Sequence, residues 1–241
     1  MKALVLALLA IFSLPLRADL PLQCEQLVVG IAPNANSSHV TLRFYELNRD
    51  TWQLTLGPWK GRLGRNGLAW GLGMHPLPAP GSRVKREGDG RAPAGIFALG
   101  GAFGYAPAIK KDPQLYYRQI TTRDLWVEDP TSPSYNSHLI LNREPNSPWE
   151  KKQQMRQGDY AHSLKLFIKH NPPPTPRANA GSAIFFHIWR AGGKKPTAGC
   201  TTMSEANLRA MIARIVPKKN PHYVLLTEAD YQRLRKAWRL P

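Results

Sequence analysis

The chain has 241 residues, with Lys+Arg 33 against Asp+Glu 16 for a formal net charge of +17, 42% hydrophobic residues, Pro 22 and Cys 2. That apolar content supports a real core and excludes wholesale disorder, while two cysteines exclude a disulfide-stapled miniprotein or a zinc ribbon. A basic globular protein is expected.

At the start, Met1-Lys2 is a short positive lead, Ala3 to Leu16 is almost unbroken apolar sequence, and Ala18 is a small residue suited to cleavage. Residues 1–18 therefore read as a secretory signal peptide, because the run is interrupted by Pro15 and falls short of the roughly 20 residues that span a bilayer. Loss of Lys2 and Arg17 would leave a mature chain, residues 19–241, carrying +15 as one domain with no membrane-spanning segment. Placement in the periplasm, or otherwise outside the cytoplasm, brings such a charge against anionic wall polymers: peptidoglycan, lipopolysaccharide or teichoic acid. Nucleic acid is the rival partner, but no helix-turn-helix, zinc-finger or RRM pattern is present and the basic residues are scattered. A merely basic solvated surface is the plain alternative.

In chain order, short β-prone runs divided by Asn, Asp and Gly predict strands at Gln26–Ile31, His39–Leu47, Trp52–Leu56 and Trp59–Leu63. Arg65-Asn66-Gly67 predicts a hairpin turn. Further strands are expected at Gly95–Leu99, Tyr116–Thr121, His138–Leu141, Leu164–His170 and Ala183–Ile188. Three helices are expected: a short polar one over Trp149–Gln157; one capped by Ser204, with Leu208, Met211, Ile212 and Ile215 on one face and Pro217 closing it; and one after Thr227 with Tyr231, Leu234 and Trp238 on a stripe. The class is mainly β with a few short helices.

Several chemistries find little support. Gly100-Gly101-Ala102-Phe103-Gly104 lacks dinucleotide-loop spacing and no P-loop lysine follows a glycine. The histidines are dispersed, without metal-ligand spacing, so a metal site would have to be assembled from remote residues. Asp124, Glu128 and Asp129 can in principle supply a glycosidase carboxylate pair, but beside Pro130 they suit a turn. The better constellation is Gly181-Ser182-Ala183-Ile184-Phe185-Phe186-His187, an apolar strand ending in histidine, followed by Thr197-Ala198-Gly199-Cys200 leading into a helix. An imidazole can activate a thiol placed there, small neighbours admit a substrate carbonyl, and the Gly199 and Cys200 N–H groups suit an oxyanion. A buried structural cysteine with a capping histidine fits the same spacing.

These residues resemble the L,D-transpeptidase catalytic domain, the YkuD-like family, whose histidine closes a strand and whose cysteine lies in Ser/Thr-His-Gly-Cys. Gly88-Asp89-Gly90-Arg91-Ala92-Pro93-Ala94-Gly95-Ile96-Phe97 likewise resembles the family's Thr-Pro-x-Gly-x-Phe strand, with Ala92 in the threonine position, and the likeness runs from about Arg65 to Met211. The resemblance implies a β-sandwich or barrel-like domain, Cys200 as nucleophile, His187 as base, and a cofactor-free thioester mechanism that cross-links peptidoglycan stem peptides. Two departures stand out: Ala198 precedes Gly-Cys, and Thr202 occupies the place of an arginine. Arg190 is the substitute candidate for a stem carboxylate, Thr197 for orienting His187 or lining the oxyanion site, and Ser182 shares that choice. Tyr135, Asn136 and His138 form a polar loop that can border the cleft; Trp126, Trp149 and Trp189 read as core or cleft-wall aromatics. Hydrolysis on the same scaffold, by an L,D-carboxypeptidase or amidase, and a non-catalytic wall-binding module are the alternatives. Cys24 is expected to stay unpaired with Cys200, since that disulfide would block the nucleophile.

Overall fold

In a computed structural model, which describes residues 20–241 apart from residues 22, 77, 79 and 80, the alternating pattern of His39–Asn48 (β2) buries Val40, Leu42 and Phe44 and leaves Thr41, Arg43 and Tyr45 half-buried. It pairs antiparallel with Gln26–Ala32 (β1) on one side and with Thr51–Arg62 (β3) on the other. The expected leader at residues 1–18 lies outside the described residues. Two strands were predicted across β3; there is one, because Gly57, at φ +95°, takes up a register irregularity within 2.8 Å of the Leu42 carbonyl, measured from the position a Cβ would occupy.

The remaining strands are Leu68–Trp70 (β4), Ala92–Gly104 (β5), Tyr117–Gln119 (β6), Asp124–Trp126 (β7), His138–Ile140 (β8), Leu164–Ile168 (β9), Phe185–Ile188 (β10), Thr201–Met203 (β11) and His222–Thr227 (β12). The order β12-β1-β2-β3-β11-β10-β9-β5 closes on itself, because β12 pairs parallel with β1 and antiparallel with β5. The mainly β, barrel-like expectation is borne out. A strand hydrogen-bonded on both edges and covered on both faces reads as a continuous apolar run, and Tyr223 to Leu226 are all buried. Strands β4, β6, β7, β8 and β11 are three residues each, below the length at which alternation is visible in a sequence. Residues 65–67 do form a turn, with the Gly67 N–H donating to the Gly64 carbonyl at 2.9 Å. It is not a hairpin: it leads β3 into β4, which pairs with β5, because Asn66 is held by the Asp89 and Gly90 carbonyls.

Among the described residues, three α-helices decorate the barrel. Pro148–Lys152 (α1) opens with a Ser147–Glu150 capping box and stops short of the predicted Gln157, since Gln153 leaves the helix to pair with Trp126 and Glu128. Glu205–Arg214 (α2) is capped by Ser204 and packs Leu208, Met211 and Ile212 on the main core. Glu228–Leu234 (α3) is capped by Thr227, and Tyr231 and Trp238 join a second cluster that also holds Cys24.

Asn136, between β7 and β8, is fully buried with φ +54°, a conformation asparagine tolerates. Its Oδ1 accepts from Trp126 Nε1 at 2.9 Å and from the Ala183 N–H at 3.0 Å, and its Nδ2 donates to the carbonyls of His170 (3.1 Å) and Asn171 (2.6 Å). All the hydrogen-bonding capacity of the carboxamide is thus used. Asn136→Ala strands these partners and is expected to cost about 3 kcal/mol or more, with Asn136→Asp comparably harmful because two carbonyls then face a carboxylate. Urea unfolding measures the loss; a change within about 1 kcal/mol would show that this loop is held by other contacts.

Candidate active site

Strand β10 lies between β9 and β11, antiparallel to the first and parallel to the second, so that His187 has Lys165 opposite it on one side and Thr202 on the other. Directly paired residues share a face, and Cys200, two residues before Thr202, joins them. Alternation therefore brings the imidazole, the thiol and the Lys165 ammonium to one cleft of about 330 Å3, which Glu87, Glu128, His162 and Arg190 also line. Cys200 was expected just before a helix. It precedes β11 instead, and α2 begins only at Glu205, so no helix N-terminus acts on the thiol.

The turn carrying Cys200 is held by Thr197, whose Oγ1 accepts from the Gly199 N–H at 3.0 Å and donates to the Cys200 carbonyl at 2.7 Å. The Thr197 N–H in turn donates to the Leu63 carbonyl, and its carbonyl accepts from Arg65. Gly199 is required by close approach: a Cβ there would lie 3.0 Å from the Arg91 carbonyl oxygen. The two segments singled out in the sequence, 88–97 and 197–200, are thus in contact. One expectation changes, since the Gly199 N–H is committed within the turn and is not presented to an oxyanion.

His187 is buried and its Nδ1 lies 2.9 Å from the Ile188 carbonyl. A carbonyl only accepts, so Nδ1 carries the proton and Nε2 keeps a lone pair. Burial, then the neighbouring charges of His162, Lys165 and Arg190, pull its pKa down to about 3. His162 stacks on it with ring centroids 4.8 Å apart. Asp159 holds that second ring through Nδ1 at 2.6 Å and takes the Arg190 guanidinium at 2.8 Å on its other oxygen. The Cys200 thiol lies 3.4 Å from the Ala183 carbonyl, and burial pushes its pKa up to about 11, against the pull of the Phe185 backbone amide and Lys165. At neutral pH the pair rests as thiol and neutral imidazole.

The other predicted positions sort clearly. Arg190 lines the cleft and is half-exposed. Thr202 is buried with its hydroxyl turned to the Arg62 carbonyl at 3.4 Å, so it packs the cleft floor instead of reaching a substrate. Ser182 donates to Glu87 at 2.8 Å, as does the Tyr135 hydroxyl. Asp124 is fully buried among Arg118, Thr121 and His138, and Asp129 closes a turn with Thr131; neither forms a carboxylate pair with Glu128, which opens into the cleft. Trp126 is a core aromatic against Phe167 and Phe185. Cys24 and Cys200 are both free thiols and belong to different apolar clusters. Among the described residues no group of His, Cys, Asp and Glu is placed to hold a metal. Sequence reasoning missed Lys165, His162, Asp159 and Glu87. A lysine alone in Leu164-Lys165-Leu166-Phe167-Ile168 was the one legible signal among them.

No protein-family model matches the chain, and no curated protein does. Among solved structures it is similar to the helical cell shape determining protein Pgp2 from Campylobacter jejuni, at 15% identity and a TM-score of 0.35, over 84% of this chain and 48% of that one. A point mutant of the same protein gives 14% identity and a TM-score of 0.35, over 84% and 47%. The chain spans about half the length of the solved proteins it matches.

The buried histidines make stability fall with acid. Burial drops His75, His162 and His170 to about 4 and His187 to about 3. An unfolded chain takes up those protons near pH 6.5, so the stabilisation is complete above that pH and is lost as pH falls toward 4, at most about 1.4 kcal/mol per histidine per pH unit. Asp124 and Asp159, held at about 2 by their hydrogen-bond partners, add a further loss only at lower pH. Urea midpoints taken from pH 7 down to 4.5 should decline steadily; a flat profile to pH 5 contradicts the neutral, buried state of these rings.

Proposed function

We propose that this protein is a cysteine acyltransferase acting on peptidoglycan stem peptides, an L,D-transpeptidase in type, which works outside the cytoplasm on the wall polymer that its basic charge would favour. The observation that carries the reading is the placement of Cys200 and His187 on one face of adjoining strands in a cleft, with His187 Nδ1 tied to a carbonyl and Nε2 left as the base. The likeness of segments 88–97 and 197–200 to the YkuD-like motifs supplies the substrate class.

In the forward step His187 Nε2 takes the Cys200 proton as sulfur attacks the carbonyl of the diamino-acid residue in a stem tetrapeptide. With the Gly199 N–H committed to Thr197, the Cys200 N–H is the turn's donor to the resulting oxyanion. Collapse breaks the peptide bond to the terminal D-alanine, whose amine leaves with the proton returned by His187. An imidazolium in a site that disfavours its charge is a strong acid, so that transfer runs readily. The amine of a second stem then attacks the thioester, forms the cross-link and frees the thiol. No metal or organic cofactor enters any step.

Cys200→Ala should reduce D-alanine release from stem tetrapeptides to background while leaving thermal unfolding unchanged, and His187→Ala should cost at least about a thousandfold in kcat/KM. Muropeptide mass spectrometry with the wild type decides the product: cross-linked dimers support transfer, and tripeptide alone reassigns the protein to hydrolysis. Release at the wild-type rate by Cys200→Ala refutes the thiol mechanism.

Arg190 is the cleft-rim cation proposed to meet the stem carboxylate. Its guanidinium shares Asp159 with His162, so Arg190→Ala removes one charged hydrogen bond to substrate and also loosens the ring stacked on His187. An apparent KM raised about tenfold is expected. Steady-state kinetics at several donor concentrations measures it, and an unchanged KM removes Arg190 from substrate binding.

A further inference from the structure

Lys165 is the second residue of β9, with 4% of its surface exposed, directly across the ladder from His187. Its Nζ donates to the Met155 carbonyl at 2.8 Å and lies 5.8 Å from the centroid of the Phe185 ring. Among the described residues it forms no ion pair; its nearest fixed partner is a neutral oxygen. Burying an ammonium in this way is unfavourable and is normally relieved by a carboxylate. Other buried cations here follow that rule: Lys85, at the same cleft, is bonded to Asp89 at 2.5 Å. The counter-charge that Lys165 lacks at rest is one that the site makes in turnover, when Cys200 loses its proton.

We propose that Lys165 is a positioning charge whose ammonium stabilises the Cys200 thiolate, from the same face of the sheet and out of contact with solvent. The proposal rests on the reading of Cys200 as nucleophile. The thiol proton passes to His187 Nε2 and Lys165 keeps its own, so the thiolate shares its cleft with two cationic groups until sulfur bonds to the acyl carbon. The charged and titratable groups that face this arrangement act in both directions. Lys85, from the segment before β5, adds to the pull on the thiolate and Glu128, from the loop after β7, opposes it. Asp159, ahead of the turn at residues 160–162, helps keep Lys165 charged, while His162 and Arg190 stand nearer His187. Lys165 itself is lowered to about 8 by burial and raised by the Cys200 thiolate, so the two groups titrate as a pair.

Iodoacetamide tests this without any peptide substrate: the thiolate sulfur displaces iodide, and peptide mass spectrometry of the full-length protein locates the label on Cys200. Lys165→Gln keeps a donor for the Met155 carbonyl and removes the charge, Lys165→Met removes both, and Lys165→Arg keeps the charge. The wild type and Lys165→Arg should alkylate along similar pH profiles. In Lys165→Gln and Lys165→Met the profile should move up by about one pH unit or more, with an alkylation rate near neutral pH about tenfold lower. A Lys165→Gln protein with wild-type melting behaviour and an unshifted profile overturns the proposal. So does a thiolate absorbance whose pH midpoint is the same in the wild type, Lys165→Gln and Lys165→Met. The expected shift in a protein that releases no D-alanine supports the role of Lys165 and refutes the proposed reaction instead, so the two failures are distinguishable.

Discussion

The carboxamide of Asn136 carries the arrangement on which the cleft depends. An amide presents two donors and two acceptor sites in one plane, and here they join the Trp126 indole, the Ala183 N–H and the carbonyls of His170 and Asn171. Ala183 is a non-glycine residue at φ +52°, a conformation that costs energy unless its surroundings enforce it. The bond to Asn136 does so, and the same residue turns the chain into β10 and offers its carbonyl to the Cys200 thiol. A loop that looked peripheral therefore sets the register from which His187 is presented.

Around that register burial holds the Cys200 thiol and the His187 imidazole uncharged. Desolvation acts on thiol and imidazole in opposite directions on the pKa scale but to the same effect, since each is held in its neutral form. The pair is therefore poised by geometry instead of being ionised in advance. The cations around it, Lys165 above all, disfavour a proton on His187 and favour its absence from Cys200. Both tendencies suit the proposed cycle, in which the imidazole holds a proton only between attack and departure of the leaving amine.

Thr197 illustrates how a short motif is spent. Its hydroxyl closes the turn by bonding both the Gly199 N–H and the Cys200 carbonyl, which fixes Cys200 and uses up one amide that sequence spacing offered to an oxyanion. Gly199 is needed for a separate reason, the Arg91 carbonyl against which the turn packs. That contact is what joins two motifs about a hundred residues apart in the chain into one wall of the cleft.

Local regularities were legible in the sequence. The apolar run of β1, the alternation of β2, the Ser204 cap and apolar stripe of α2, and the apolar run that delivers His187 are all properties of a window of a few residues, whose energies depend on neighbours along the chain. The pairing of His187 with Cys200 was also legible, through strand end and motif. Closure of the barrel was decided only by tertiary structure, because β12 shows its role by pairing at once with β1 and β5, and three-residue strands such as β11 carry no periodicity of their own. The same holds for the strand start at Cys200, where a helix start was expected, and for the commitment of the Gly199 amide. Lys165 lies between the two cases. As a lone cation in an apolar strand it was visible as an anomaly, but its meaning depends on which charges share its face and on how little water reaches it, and both are set by strands that meet only in the folded protein.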